Sequence, residues 1–263
     1  MKPTSIERLK GIMAQLRHPQ NGCPWDKVQT SATIAPYTLE ETYEVLDAIE
    51  RNDSNALKEE LGDLLFHIVF YAQMAQEQQQ FDFDAICEAV CDKLERRHPH
   101  VFNPQSGISG EEAIGSWEQR KGAERAEKDQ HSVLDDIPAS LPALMKAYKI
   151  QKRCASVGFD WDTLGPVLDK VYEEIDEVMD EVKQVVIDED RLEEELGDLL
   201  FSVVNLSRHL GHKPEIALQK ACQKFENRFR NVEKLILDKG LSLEAATLAE
   251  MEAMWQQVKN QKV

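Results

Sequence analysis

The feature that most constrains this chain is a pair of acidic helical segments that occurs twice. Within residues 170–204, Glu174 and Glu177 are spaced i,i+3, and so are Glu195 and Asp198. On a helix each pair puts two carboxylates on one face, one turn apart. The polar stretch Ile187-Asp188-Glu189-Asp190 between them suits a tight helix–helix turn. Folded back antiparallel, the pairs come level, because Glu177 and Glu195 each lie nine residues from Val186. Four converging carboxylates repel and raise one another's pKa, and a divalent cation relieves that repulsion. Oxygen-only ligands suit Mg²⁺ or Mn²⁺ better than zinc. One Glu-rich face would ordinarily be solvated surface. Here the arrangement recurs at Glu41, Glu44, Glu60 and Asp63, and Glu195–Phe201 repeats Glu60–Phe66 residue for residue.

The rest of the chain repeats as well. Gly158-Phe159-Asp160-Trp161-Asp162 echoes Gly22-Cys23-Pro24-Trp25-Asp26, and the stretch from Cys222 to Arg228 follows that from Cys91 to Arg97. Trp255 to Lys259 follows Trp117 to Lys121. A period near 130 residues is too long for a solenoid repeat, so each copy reads as a domain: 1–122 and 138–263, joined by a charged, proline-punctuated linker over 123–137. Apolar residues at helical spacing (Ile6, Leu9, Ile12, Met13, Leu16 in the first copy) and scarce strand signals predict an all-α fold of two tandem helical bundles. The first acidic helix is expected to begin near Pro36. Gly62, inside its partner helix, costs about 1 kcal/mol against alanine, which is tolerable if another backbone must approach closely there.

Composition bounds the partners. At a net charge of −17 the chain lacks the basic footprint that a nucleic acid or an anionic membrane requires, but it suits an enzyme meeting phosphates through metal. No apolar run reaches the roughly 18 residues of a membrane span, and the N-terminus lacks a signal peptide's apolar core. The five cysteines are odd in number and lack Cys-x-x-Cys spacing, so a reduced cytoplasm is expected rather than a disulfide or zinc framework.

With Glu-Glu-x-x-Glu followed by Glu-x-x-Asp in both halves, Gly-Cys-Pro-Trp-Asp at 22–26 and Lys-Leu-Glu-Arg-Arg-His-Pro-His-Val-Phe at 93–102, the chain resembles the MazG family. This is the two-domain branch of the all-α nucleoside triphosphate pyrophosphohydrolases, and the resemblance covers essentially the whole chain. It implies Mg²⁺-dependent hydrolysis of nucleoside triphosphates to monophosphate and pyrophosphate by a homodimer. Composition and spacing alone reach only a divalent-metal carboxylate site.

On that resemblance Glu174, Glu177, Glu195 and Asp198 match the family's metal positions, with Glu41, Glu44, Glu60 and Asp63 as the second metal set. Glu173 lies off their face; it either orients water or a ligand in catalysis or is plain surface. Lys170 and Arg191 each extend the acidic face by one turn, and Lys224 with Arg228 forms a basic i,i+4 pair; phosphate contact competes here with intrahelical salt bridges of about 0.3–0.5 kcal/mol. Trp255 either stacks on a base or plugs the core. Thr38 and Glu41 have the spacing of a capping box, His98 and His100 are weak metal candidates, and His67 has only Ser202 as its counterpart. Tyr37 and Ala56 replace Lys170 and Arg191 in the first copy, so the C-terminal site is expected to carry most of the hydrolysis. Two other readings remain: a di-iron carboxylate bundle, which ordinarily uses Glu-x-x-His, and an acidic adaptor whose metal is only structural.

Overall fold

The structure, a computed structural model, describes residues 3–102 and 132–260. All regular structure among them is helical. Trp117 and the linker residues 123–131 lie outside the described residues. The chain divides into two compact units, Met1–Glu124 and Arg125–Val263. No helix among the described residues is long and apolar enough to cross a membrane.

In the first unit α1 (Ser5–Leu16) opens with a capping box, in which Thr4 Oγ1 accepts from the Glu7 amide and Glu7 Oε2 accepts from the Thr4 amide. The turn after it needs Gly22, because a Cβ there would fall 2.4 Å from the Leu16 carbonyl oxygen. The short α2 (Pro24–Val28) leads into α3 (Ser31–Glu50). α3 starts earlier than its proline suggested. Thr30 caps it in a box with Thr33, and Pro36 is carried inside the helix. Proline there forgoes one intrahelical N–H bond at about 3 kcal/mol, which the cap offsets in part and the packing that buries Ile34 and Ala48 on the same helix offsets further. Thr38 therefore sits mid-helix and caps nothing; its hydroxyl bonds the Ile34 carbonyl and Tyr71 Oη at 2.8 Å, tying α3 to α4 (Ser54–Glu77). Asp53 caps α4 by accepting from the Asn55 and Ala56 amides. α5 (Phe83–Arg97) and α6 (Pro99–Phe102) complete the described part of this unit. α3 and α4 form the acidic hairpin, and α1 packs across α4, burying Met13, Ile34, Val69, Phe70 and Met74 as one core.

The second unit repeats the plan with α7 (Ala143–Ala155), α8 (Leu164–Val182), α9 (Glu189–His209), α10 (Pro214–Asp238) and α11 (Leu248–Asn260). The break between Val182 and Glu189 falls at the polar interruption, and Asp188 caps α9 through the Arg191 amide. α8 and α9 pair as the acidic hairpin, with α7 packed on α9. α10 and α11 make a second hairpin with a core of Val232, Ile236, Ala246 and Val258, and α10 also touches α7 and α9. Part of the stretch read as linker belongs to this unit, since Arg153 on α7 donates to the carbonyls of Val133, Asp135 and Asp136.

No close backbone explains the helix glycines. Gly62 and Gly197 would meet nothing within 4 Å of an added Cβ.

One arginine closes the first unit. Arg17 donates to both carboxylate oxygens of Glu77, the shortest bond being 2.7 Å, and to the carbonyls of Asp26 and Gln29, while its guanidinium lies over the Phe70 ring. It thereby joins the end of α1, the α2 turn and the end of α4. The guanidinium holds Glu77 below the usual carboxylate value of 4.5, so this contribution is complete above that pH and is lost as the pH falls through the depressed value. Arg17→Met is expected to destabilise the protein by about 2–3 kcal/mol, from charged hydrogen bonds left without a donor. It should also flatten the acid-side loss of stability; urea titrations at pH 7 and pH 4 check both.

Candidate functional site

In the second unit, one turn of α8 and one of α9 bring carboxylates together. Oxygens of Glu174, Glu195 and Asp198 lie within 4.8 Å of one another. Glu174 is only 3% exposed, and its Oε2 is buried without a hydrogen-bond partner. A buried carboxylate with one oxygen unpaired, clustered with two others, suits a hard cation of the Mg²⁺ class. Glu177 stands outside this closest group but is exposed on the same helix, and its pKa is raised, first by burial, then by Glu174 and Glu195 against the opposing pull of Lys170. The first unit has the same trio, Glu41, Glu60 and Asp63, again within 4.8 Å. Glu41 is raised chiefly by burial and next by Glu44, Asp63 and Glu60; Glu44 is thus within electrostatic reach but outside the trio. Neither trio contains a histidine. His98 Nδ1 instead bonds the Leu94 carbonyl oxygen, and His67 is a buried ring whose pKa burial lowers.

The basic residues separate into two sets. Lys170 Nζ lies 2.5 Å from Glu174 and 2.9 Å from Glu173, and those two carboxylates hold the lysine well above its ordinary value. Arg191 spans the hairpin, 3.1 Å from Glu181 and 3.8 Å from Glu195. Lys224, Arg228 and Trp255 stand on the α10–α11 hairpin. Trp255 packs on Phe225 at 5.0 Å and against the second core, with the Arg228 guanidinium 6.0 Å from its ring centre. In the first unit the position of Lys170 is held by Tyr37, whose ring meets Trp25 edge-on at 6.1 Å. Arg51, the cation acting on Glu60, is paired with Asp47 at 2.9 Å.

Beside the C-terminal trio lies a cavity of about 540 Å³. Lys170, Glu174 and Asp198 form one end, and Phe159, Trp161, Val167 and Phe201 supply apolar walls. Gln151, Ser202 and Asn205 line it too, and none of these three was singled out from the sequence. For two of them the signal was present in the comparison of copies. Ser202 and Asn205 occupy the places of His67 and Phe70, whereas Gln151 falls opposite Gln15 when Gly158–Asp162 is set on Gly22–Asp26, so no difference between the copies marked it. In the first unit Phe70, at the position of Asn205, is 0% exposed and packs in one core with Met13 and Ile34.

An all-α fold with a duplicated carboxylate hairpin, one copy opening onto a cavity, defines a class of helical proteins whose clustered carboxylates can hold a metal ion. Residues 29–102 and 163–233 match the model of the MazG nucleotide pyrophosphohydrolase domain. Over 258 residues the chain is 66% identical to the nucleoside triphosphate pyrophosphohydrolase of Escherichia coli (strain K12), covering 98% of each. It is 43% identical over 262 residues to the nucleoside triphosphate pyrophosphohydrolase/pyrophosphatase MazG of Thermotoga maritima, again covering 98% of each. With the uncharacterized protein YabN of Bacillus subtilis it shares 38% identity over 250 residues, 95% of this chain and 50% of that one. The chain belongs to the MazG family.

Filled and open copies should respond differently to truncation. Phe70→Ala is expected to cost about 3–5 kcal/mol by leaving a void in a closed core. Ser202→Ala, beside an existing cavity, is expected to cost about 1 kcal/mol or less. Chemical denaturation of the two variants measures the contrast.

Proposed function

We propose that this chain hydrolyses nucleoside triphosphates to nucleoside monophosphate and pyrophosphate, and that the C-terminal unit does most of it with Mg²⁺, Mn²⁺ substituting. The relatives carrying that activity in their names support the reaction. The observation that carries the choice of site is the cavity lined by Lys170, Glu174 and Asp198, since a buried, unpartnered carboxylate oxygen occurs in both trios, on Glu41 and on Glu174. Glu174, Glu195 and Asp198 are the ligands, with Glu177 completing the set. The bound ion supplies charge neutralisation for the triphosphate and a water of lowered pKa. Glu173 orients water or ligand from the edge of the site. Lys170, held charged by its two carboxylates, and Arg191 are the cations that meet the phosphates. The first unit keeps a metal-competent trio, Glu41, Glu60 and Asp63 with Glu44 near it, but packs Phe70 into its core; it serves as scaffold or regulatory site.

The working form in this reading is a homodimer. Leu196 and Leu200 flank Gly197 on the exposed side of α9, and Tyr172, Ile175 and Met179 form a second exposed apolar row on α8. With open space at Gly197, a helix of a second copy approaches closely there, and that copy's Lys224, Arg228 and Trp255 complete the site. The net charge of −17 supports a small anion met through metal rather than nucleic acid or a membrane surface. Five free cysteines support a reduced, cytoplasmic setting.

Glu174→Gln and Asp198→Asn are expected to lower Mg²⁺-dependent pyrophosphate release at least about a hundredfold with far-ultraviolet circular dichroism unchanged, while Glu41→Gln and Asp63→Asn change it less than about threefold. Full activity in the C-terminal variants would remove the placement. Stabilisation by Mg²⁺ with no turnover of any triphosphate would favour the adaptor, whose metal is only structural. In the metal-free protein Glu177→Gln is expected to raise the melting temperature, because it removes one of the repelling charges. Mg²⁺ should then shift that variant's melting temperature less than it shifts the parent's, as differential scanning fluorimetry would show.

A further inference from the structure

The cavity beside the C-terminal carboxylates holds polar groups whose orientations are fixed. Gln151 is 7% exposed, and its Nε2 donates to the Phe201 carbonyl at 2.8 Å. A carbonyl can only accept, so this bond settles which end of the amide is nitrogen. It leaves Oε1 buried with no partner. The Ser202 hydroxyl donates to the Leu199 carbonyl at 2.8 Å, so Oγ meets the cavity as an acceptor. One turn further along α9, Asn205 Oδ1 accepts from Arg208 Nε at 3.1 Å and Nη2 at 2.8 Å. Arg208 is itself held by both oxygens of Asp160, at 2.8 and 2.5 Å, with His209 Nε2 2.9 Å from the same carboxylate. A guanidinium only donates, so the Asn205 oxygen must face Arg208, and its N–H₂ is left as a donor.

We infer that Gln151 and Asn205 read the pairing edge of the nucleobase, with Gln151 Oε1 accepting a base N–H and Asn205 Nδ2 donating to the acceptor beside it. This rests on the reading that the C-terminal carboxylates bind the triphosphate. Along α9, Ser202 lies ~6 Å and Asn205 ~10 Å beyond Asp198, the levels at which a sugar and then a base edge fall once the α-phosphate is at the metal. Phe159, Trp161 and Phe201 give the flat apolar walls that a heterocycle fits. Adenine, cytosine, guanine and uracil each carry a donor next to an acceptor on the pairing edge. The amide pair therefore selects an unblocked edge rather than a single base. The Asp160–Arg208 pair acts through Asn205 as a positioning element. Where the first unit has Phe70 no such reading is available.

The test uses the full chain with Mg²⁺. Purine riboside triphosphate lacks the amine of ATP, and N3-methyl-UTP lacks the ring N–H of UTP. Each is expected to lose about ten- to a hundredfold in kcat/KM against its parent, mainly through KM. In Gln151→Met, ATP and UTP should fall to the level of the blocked analogues, so that each ratio comes within about threefold of one. The ratios of ATP to its 2′-deoxy and 3′-deoxy forms should stay as in the parent, and the melting temperature should not drop, because a buried unpaired acceptor has been removed. A parent enzyme that treats blocked and unblocked bases alike overturns the inference. So does Gln151→Met that keeps the discrimination, or one that changes the sugar ratios instead. If Gln151→Met does not fold, the analogue comparison in the parent still decides. If the parent releases no pyrophosphate from any triphosphate, the reading of the site has failed. Base recognition is then measured separately, by calorimetric dissociation constants of AMP and purine riboside monophosphate, with the same ratio expected and a ratio near one overturning it.

Discussion

Each half of this protein depends on like charges being held close together. A helix hairpin that sets three carboxylates within 4.8 Å of one another works against its own folding, because every added charge disfavours the others. The hairpin survives because the cost is local and the packing is not. α3 and α4 are held by α1 and the Arg17 bridge, and α8 and α9 by α7. In the second unit Lys170 offsets part of the repulsion through its contacts with Glu173 and Glu174. Glu174 nevertheless keeps one oxygen buried and unpaired. A site strained in this way is preorganised for a cation, since ordering the ligands costs nothing further at binding.

Duplication followed by divergence is visible at the level of single atoms. Both hairpins keep glycine, leucine and phenylalanine in identical register along the second acidic helix. What differs is the lining. Phe70 packs with Met13 in a core in one copy; Asn205 and Gln151 line a cavity with directed polar groups in the other. Filling a cavity with an aromatic ring gains burial and packing, whereas keeping it open forfeits both. The second unit carries that loss, together with an orphaned glutamine oxygen. Close packing and open space have been divided between the two copies.

The cations follow the same division. Lys170 and Arg191 stay with the hairpin because i,i+4 spacing and the hairpin crossing put them there. Lys224, Arg228 and Trp255 sit on the α10–α11 hairpin, where Trp255 serves packing. In the proposed reading a second copy brings them to the phosphates, over the exposed leucines around Gly197.

By itself the sequence determined the helical class, the duplication and the acidic positions. Those rest on periodicity and spacing along the chain, which local geometry converts directly into faces of helices. It also located the asymmetry in charge, through Tyr37 and Ala56 against Lys170 and Arg191. Local reasoning failed where other contributions outweighed a local signal, as when the Thr30 cap and the burial of Ile34 and Ala48 together overrode Pro36 and left Thr38 mid-helix. Only the tertiary structure decided which three acids draw closest, that Glu177 and Glu44 stand apart, and that Gln151 reaches the space beside Asp198. Those facts depend on how far two hairpin helices are rotated about their axes and on which side chain a third helix lays across them. Both are set by packing between residues distant in the chain, which no spacing within one helix records.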